Sequence, residues 1–369
     1  MPHIKPLATL ALTALLAACT SAPPETELPA QSAPKDPLME MLGNRPAAAE
    51  PPFFNQVAAP VAQTGFLANP NVQAFIQYQH QHNGLPLDYL NNFFAQVNYR
   101  GNLINTINRP ATTQPWYKFA ANNSGSLKIS AGRAFYAQNR AAIDRAAQQY
   151  GVPAELIVAI IGIETQYGKN SGSIRVADSL ATLAFDYPRR GAFFQKELGE
   201  FLQLAQQENR DPFSFTGSFA GAMGMPQFIP SSFRQYAVDF DGDRQHNIWS
   251  SVPDVAASVA NYMKQHGWQT GKPMLIGANV AQETPPIQAL LNEKTALNHT
   301  VGQLRQMGVQ PLGSVADSEP ALLYRLETAP NQYQYYIGLN NFYTVWHYNH
   351  SRMYVTAVRD IANGMGGGL

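Results

Sequence analysis

Glu164 is the side chain in this sequence best placed to do acid–base chemistry. It lies near the end of VPAELIVAIIGIETQYG (residues 152–168), where Leu156, Ile157, Val158, Ala159, Ile160, Ile161 and Ile163 leave almost no polar face. A helix of that pattern belongs inside a core. Pro153 suits its first turn, and Glu155 the positive end of its dipole. A carboxyl at the opposite end meets burial and the negative dipole end together. Both disfavour its charge and raise its pKa, toward what a general acid needs near neutral pH. The plainer alternative is a helix-end acid that reaches water.

A second group of acids suggests a metal. Asp239, Asp241 and Asp243 alternate in DFDGD, between predicted helices at 231–237 and 253–266. Alternating carboxylates in a helix–loop–helix resemble a calcium loop of the EF-hand type, with Gln245 offering its carbonyl. Arg244 stands where that loop takes glycine, and Ser250 where it takes a bidentate acid, so Asp254 becomes the late ligand of a lengthened loop. A solvated acidic turn is the alternative. Other pairings carry less. His80 and His82 lie in a polar run with no nearby carboxylate, and His347 and His350 lack a third ligand. The Gly162 to Lys169 spacing is one residue too long for a phosphate loop and follows a helix, not a strand. Residues 217–232, GSFAGAMGMPQFIPSS, set Ser218 and Gln227 among glycines and apolar residues, which permits close backbone approach to a ligand or simply a packed turn.

Several elements must position these groups. Residues 71–80, 87–97 and 130–150 read as helices, the last ended by Gly151, and 175–185 and 191–209 read as two more, joined by Tyr187-Pro188-Arg189-Arg190. After Trp268 the pattern becomes strand-like at 322–327, 334–339 and 342–348, and Asn349 is placed to cap a last helix through Ile361.

Lys+Arg and Asp+Glu number 25 each in 369 residues, so the net charge is zero, which argues against nucleic acid as a partner. A sequence poor in charge and rich in amides and aromatics suits neutral polar ligands such as sugars. At the N-terminus, His3 and Lys5 precede a short apolar run over 7–17, too short for a spanning helix, which takes about 20 apolar residues. Leu16-Ala17-Ala18-Cys19 closes it, and Cys19 is the sole cysteine. This resembles a lipoprotein box, with Cys19 lipidated after cleavage. Thr20 next to it, in place of Asp, favours the outer membrane by the same resemblance. Residues 20–63 are rich in Pro, Ala and Glu, and read as a disordered tether reaching roughly 40 Å. The organisation is therefore a signal peptide (1–18), a lipidated N-terminus and tether (19–64) and a catalytic domain (65–369).

Five stretches in order carry a family resemblance: GVPAELIVAIIGIETQYG, LATLAFDYPRR, GSFAGAMGMPQFIPSSFRQYAVDFDGD, VANYMKQHGW and NNFYTVWHYNHSRMY. From about residue 66 to 361 the chain resembles the membrane-bound lytic murein transglycosylase B family. That resemblance implies an α+β, mainly α fold, with a lysozyme-like catalytic core and smaller α and β subdomains. It implies cleavage of the β-1,4 bond from N-acetylmuramic acid to N-acetylglucosamine in peptidoglycan, with a 1,6-anhydro sugar as product. Glu164 becomes the single catalytic acid/base. Ser218, Gln227, Phe228, Tyr262, Tyr348, Asn349 and Tyr354 fall on substrate-holding positions, and Arg189 and Arg190 on a pair near the peptide-bearing sugar. Phe193 replaces a tyrosine, and Met225-Pro226 departs from the family pattern. The chemistry needs no cofactor, and calcium would be structural. Partners are glycan strands, the membrane through the anchor, and other cell-wall enzymes. A muramidase-type hydrolase on the same fold and a non-enzymatic peptidoglycan-binding lipoprotein are the alternatives. The hydrolase needs a second carboxylate, for which Asp178 and Asp186 are the candidates.

Overall fold

The computed structural model describes residues 59–107 and 114–369. The signal segment, Cys19 and most of the tether fall outside the described residues. Folded structure already begins before residue 65. Helix α1 (Val61–Thr64) buries Val61, and the carboxylate of Asp186 accepts from the amides of Val61 (2.7 Å) and Ala62 (3.2 Å).

Helices then follow one another: α2 (Pro70–Asn83), α3 (Leu87–Gln96), α4 (Gly101–Ile107), α5 (Trp116–Asn123) and α6 (Ser126–Tyr150). Asn69 caps α2 by accepting from Asn71 N, with Pro70 in its first turn. Gly151, left-handed at φ 69°, ends α6 and frees Val152 and Pro153 to turn into α7 (Ala154–Thr165). Pro153 sits just before α7, not within it. The apolar run makes α7 a fully enclosed helix, with Leu156 to Gly162 all buried, and α6, α11 and α15 pack around it.

Next come strand β1 (Ile174–Arg175), α8 (Val176–Asp186), α9 (Gly191–Gln207), β2 (Thr216–Gly217), α10 (Pro230–Tyr236) and α11 (Val252–Gln265). Strands β1 and β2 pair antiparallel ahead of the glycine-rich loop. Asp178 is fully buried on α8, where Arg175 (2.7 Å) and Arg100 (3.1 Å) pair with it. Buried Glu197 accepts from the backbone and hydroxyl of Ser231, fixing the start of α10.

The C-terminal part interleaves β3 (Leu275–Val280), α12 (Pro285–Asn292), β4 (His299–Thr300), α13 (Val301–Gln306), β5 (Val309–Pro311), β6 (Pro320–Ala329) and β7 (Gln332–Gly338), then ends with α14 (Asn340–Tyr348) and α15 (Arg352–Met365). The five strands form an antiparallel sheet in the order β4-β6-β7-β3-β5. Alternation along β6 serves two cores at once. Leu322, Tyr324 and Leu326 face the main core, and Ala321 and Leu323 face a smaller one with Ile287, Leu290, Val301 and Ile337. Arg352 ties this subdomain to α15. Its guanidinium donates to Leu291 O (3.3 Å), Glu293 O (2.6 Å) and Thr295 Oγ1 (2.9 Å).

Two expectations are corrected. Residues 342–348 are helical, because Asn341, Phe342, Thr344 and Val345 are buried at helical spacing, and their aromatic and β-branched content mimics a strand. Ser351, not Asn349, caps the last helix, accepting from Tyr354 N. Among the described residues, no single helix is long and apolar enough to cross a membrane.

Candidate active site

The turn after α7 fixes where Glu164 points. Gln166 and Tyr167 are both left-handed, at φ 52° and 62°, which costs a non-glycine residue about 1–2 kcal/mol each. Tyr167 folds back over Gly162, where a Cβ would lie 2.5 Å from its ring, so a side chain there would displace the turn. Thr165 Oγ1 donates to Met225 O (3.1 Å) and joins the turn to the glycine-rich loop.

Glu164 thus lines a cleft together with Ala222, Gln227, Phe228, Ile229, Ser232, Tyr262, His347, Tyr348 and Asn349. Tyr262 and Tyr348 line the cleft, Tyr354 lies buried against Glu164, and each of the three hydroxyls is committed. Tyr262 donates to His347 O (2.7 Å), Tyr348 to Pro226 O (2.5 Å) and Tyr354 to Glu164 Oε1 (2.6 Å). Phe228 lies 5.8 Å from Tyr262 and 6.0 Å from Tyr348 between ring centroids. Gln227, itself left-handed at φ 51°, donates to Gly224 O and Ser171 O. The buried Oδ1 of Asn349 has no hydrogen-bond partner, which leaves an acceptor on the cleft wall.

Although Glu164 is half-buried as a residue, its carboxyl is enclosed by protein. Burial pushes its pKa up to about 7, against the opposing pull of the Tyr354 hydrogen bond and the charge of Lys128. No other carboxylate lines the cleft among the described residues. Asp178 is consumed by its two arginines and Asp186 by the start of α1.

Some anticipated residues lie elsewhere. Ser218 does not line the cleft; its Oγ accepts from Ala220 N and Ala222 N and closes the turn behind it. Arg189 is exposed, Arg190 lies over the Phe193 ring at 4.1 Å, and neither lines the cleft. Sequence reasoning missed Ser232 and His347 as cleft groups, and Lys128 behind the cleft, where it reaches the turn that carries Glu164. The histidine is visible in the sequence, but its spacing from His350 points only to a metal pair.

Of the five proposed metal ligands, Asp239, Asp241 and Asp254 come together, with one carboxylate oxygen of each within 4.8 Å of the others. Asp254 is buried on α11 and draws the loop inward by accepting from Phe240 N, Asp241 N and Asn247 N. Burial raises its pKa, against the pull of those amides. Asp243 is exposed and accepts from Gln245 N, outside that trio. Arg244 adopts the left-handed turn, at φ 69°, that glycine ordinarily supplies at this position of such a loop.

A mainly helical core with one enclosed glutamic acid beneath an aromatic cleft defines a lysozyme-like, glycan-cleaving site. The chain belongs to the family described as Transglycosylase SLT domain, whose model matches residues 67–363. It is similar to the membrane-bound lytic murein transglycosylase B of Escherichia coli K12, with 37% identity over 361 residues, 95% of this chain and 94% of that one. E. coli Slt35, solved in complex with calcium, superposes with a TM-score of 0.71 at 35% identity, covering 91% of this chain and 98% of that one. SltB3 of Pseudomonas aeruginosa, solved with NAG-anhNAM-pentapeptide, gives 0.69 at 34% identity, covering 80% and 79%.

Proposed function

We propose that this protein cleaves the β-1,4 bond between N-acetylmuramic acid and N-acetylglucosamine in peptidoglycan without adding water, leaving 1,6-anhydro-N-acetylmuramic acid. The observation that carries this reading is a single carboxyl, with a pKa near 7, in a cleft that no second carboxylate lines among the described residues. A hydrolase needs a partner acid about 5–5.5 Å away to retain configuration, or about 6.5–9.5 Å to invert. One acid suffices if the substrate supplies its own nucleophile. Protonated Glu164 donates to the departing glycosidic oxygen, and the neighbouring N-acetyl group stabilises the positive anomeric carbon. The resulting carboxylate then takes the proton of the sugar's 6-hydroxyl as that oxygen closes on the same carbon. Tyr354 stabilises the carboxylate through its hydrogen bond, which strengthens when the acceptor is charged. Phe228, Tyr262 and Tyr348 give the sugar rings apolar faces, and Asn349 Oδ1 offers an acceptor for an amide or hydroxyl. Ser218 serves by shaping the loop that carries Gln227.

The loop chemistry fits calcium. Asp239, Asp241 and Asp254 supply hard oxygen donors, with Gln245 offering its carbonyl, and the ion would tie the α10–α11 loop to α11. Periplasmic attachment to the outer membrane through Cys19 is supported by the lipoprotein box and by the membrane-bound relative. Mass analysis of digested peptidoglycan tests the reaction. Wild-type products should be one water lighter than a muramidase makes, and Glu164→Gln should make almost none. Hydrated reducing ends would sink the transglycosylase reading, and near-normal turnover by the variant would sink the assignment of Glu164.

A further inference from the structure

Lys128 sits where its own helix does not favour it. It lies in the first turn of α6, where the helix dipole repels a cation, and it is half-buried, which also disfavours charge. Its Nζ crosses to α7 and donates to Gly162 O (3.3 Å) in the turn that carries Glu164, the end of a helix where a cation is favoured. The backbone of Lys128 is locked to the same turn, because Tyr167 Oη donates to Lys128 O (2.7 Å). The titratable groups facing the Glu164 carboxyl from the surrounding helices are Lys128 on α6, Tyr262 on α11, His347 and Tyr348 on α14 and Tyr354 on α15. Tyr348 and Tyr354 are held neutral by burial. Among these helices' groups, Lys128 is the cation whose charge opposes the burial of the carboxyl.

We propose that Lys128 is a positioning residue for catalysis, holding the last turn of α7 and supplying the fixed positive charge that stabilises the Glu164 carboxylate formed midway through the reaction. This inference rests on Glu164 being the acid/base. No proton moves to or from Lys128. When Glu164 gives its proton to the leaving oxygen, the new negative charge forms at the negative end of α7, where Tyr354 and Lys128 together offset it. When the carboxylate takes the 6-hydroxyl proton, that charge disappears and the ammonium is unchanged. Lys128 does not line the cleft, so it acts on turnover and not on binding.

The test compares Lys128→Met, Lys128→Arg and Lys128→Gln in the full-length protein on soluble glycan chains. The alkaline fall of kcat/KM reports loss of the Glu164 proton. Removing the cation should raise the pKa of Glu164, so in Lys128→Met that fall should move to higher pH by about one unit. The maximal kcat should drop roughly tenfold, with KM unchanged. Lys128→Arg keeps the charge and should restore the wild-type pH profile. Lys128→Gln keeps a donor for Gly162 O without the charge, so it should follow the methionine variant, and it replaces that variant if methionine impairs folding. Carboxyl carbon NMR of Glu164 should show the same displacement directly. If the charge-free variants keep the wild-type pH limb, the inference is overturned whatever their rates, because Lys128 then only packs. Glu164→Gln in the same assay separates the two readings: if it stays active, the reading of Glu164 fails; if it is dead and the limb does not move, only the role of Lys128 fails.

Discussion

Replacing Glu164 with Gln removes one titrating group while nearly preserving the side chain's shape, and the structure sets what that does to stability. The carboxyl titrates near 7 in the folded protein against an ordinary 4.5. Its folded pKa is therefore the higher one. The folded state holds the proton between those two values while the unfolded chain releases it, so stability is fully present below pH 4.5 and is lost as pH rises to about 7. At about 1.36 kcal/mol per unit, the rise from 4.5 to about 7 corresponds to a loss of at most about 3 kcal/mol. The amide does not titrate and escapes this loss. Urea denaturation should therefore find the two proteins nearly equal at about pH 4 and the glutamine variant more stable at about pH 8 by up to ~3 kcal/mol. A stability difference that does not change between those conditions would refute the argument that burial raises this pKa.

Other outcomes follow from the same geometry. Tyr354→Phe removes a hydrogen bond to a charged acceptor, worth about 1.5–3 kcal/mol, so kcat should fall roughly 10- to 100-fold with KM little changed; a loss below about twofold in steady-state kinetics would contradict its role. Adding millimolar calcium to chelated protein should raise its melting temperature by a few degrees, and Asp241→Asn should abolish the shift; an unshifted wild-type melting curve counts against the calcium loop. Cys19→Ala should release an active soluble protein, and continued membrane fractionation of that variant would refute the anchor.

The buried helix that carries Glu164 was legible because a lone acid at the end of a long apolar run stands out in the sequence. Phe228, Tyr262, Tyr348 and Asn349 were legible only through family resemblance, since an aromatic residue at helical spacing reads equally as core. Lys128 was hidden because it contacts Gly162 across 34 residues of chain, and no local pattern predicts which helix faces which. The aromatic segment at 342–348 misled for a different reason. β-branched and aromatic residues suit strands, but packing of Phe342 and Val345 against the main core decides the conformation. Asp254 was legible as a late loop acid, whereas the outward turn of Asp243 depends on backbone geometry around Arg244 that composition does not reveal.

The Arg352 clamp gives the small sheet a say in when the enzyme stops working. Arg352 grips Leu291, Glu293 and Thr295 at and just beyond the end of α12, a helix of the smaller core, and two residues further along α15 Tyr354 holds the Glu164 carboxyl. The sheet's own core is the lesser of the two and should open at a lower free energy than the α7 bundle. Once it opens, the clamp loses its acceptors and the first turn of α15 is released while most helices persist. Activity should then disappear on heating before the helical circular dichroism does. A small peripheral unit of this kind acts as a thermal fuse, disconnecting the acid from its support before the rest of the molecule melts.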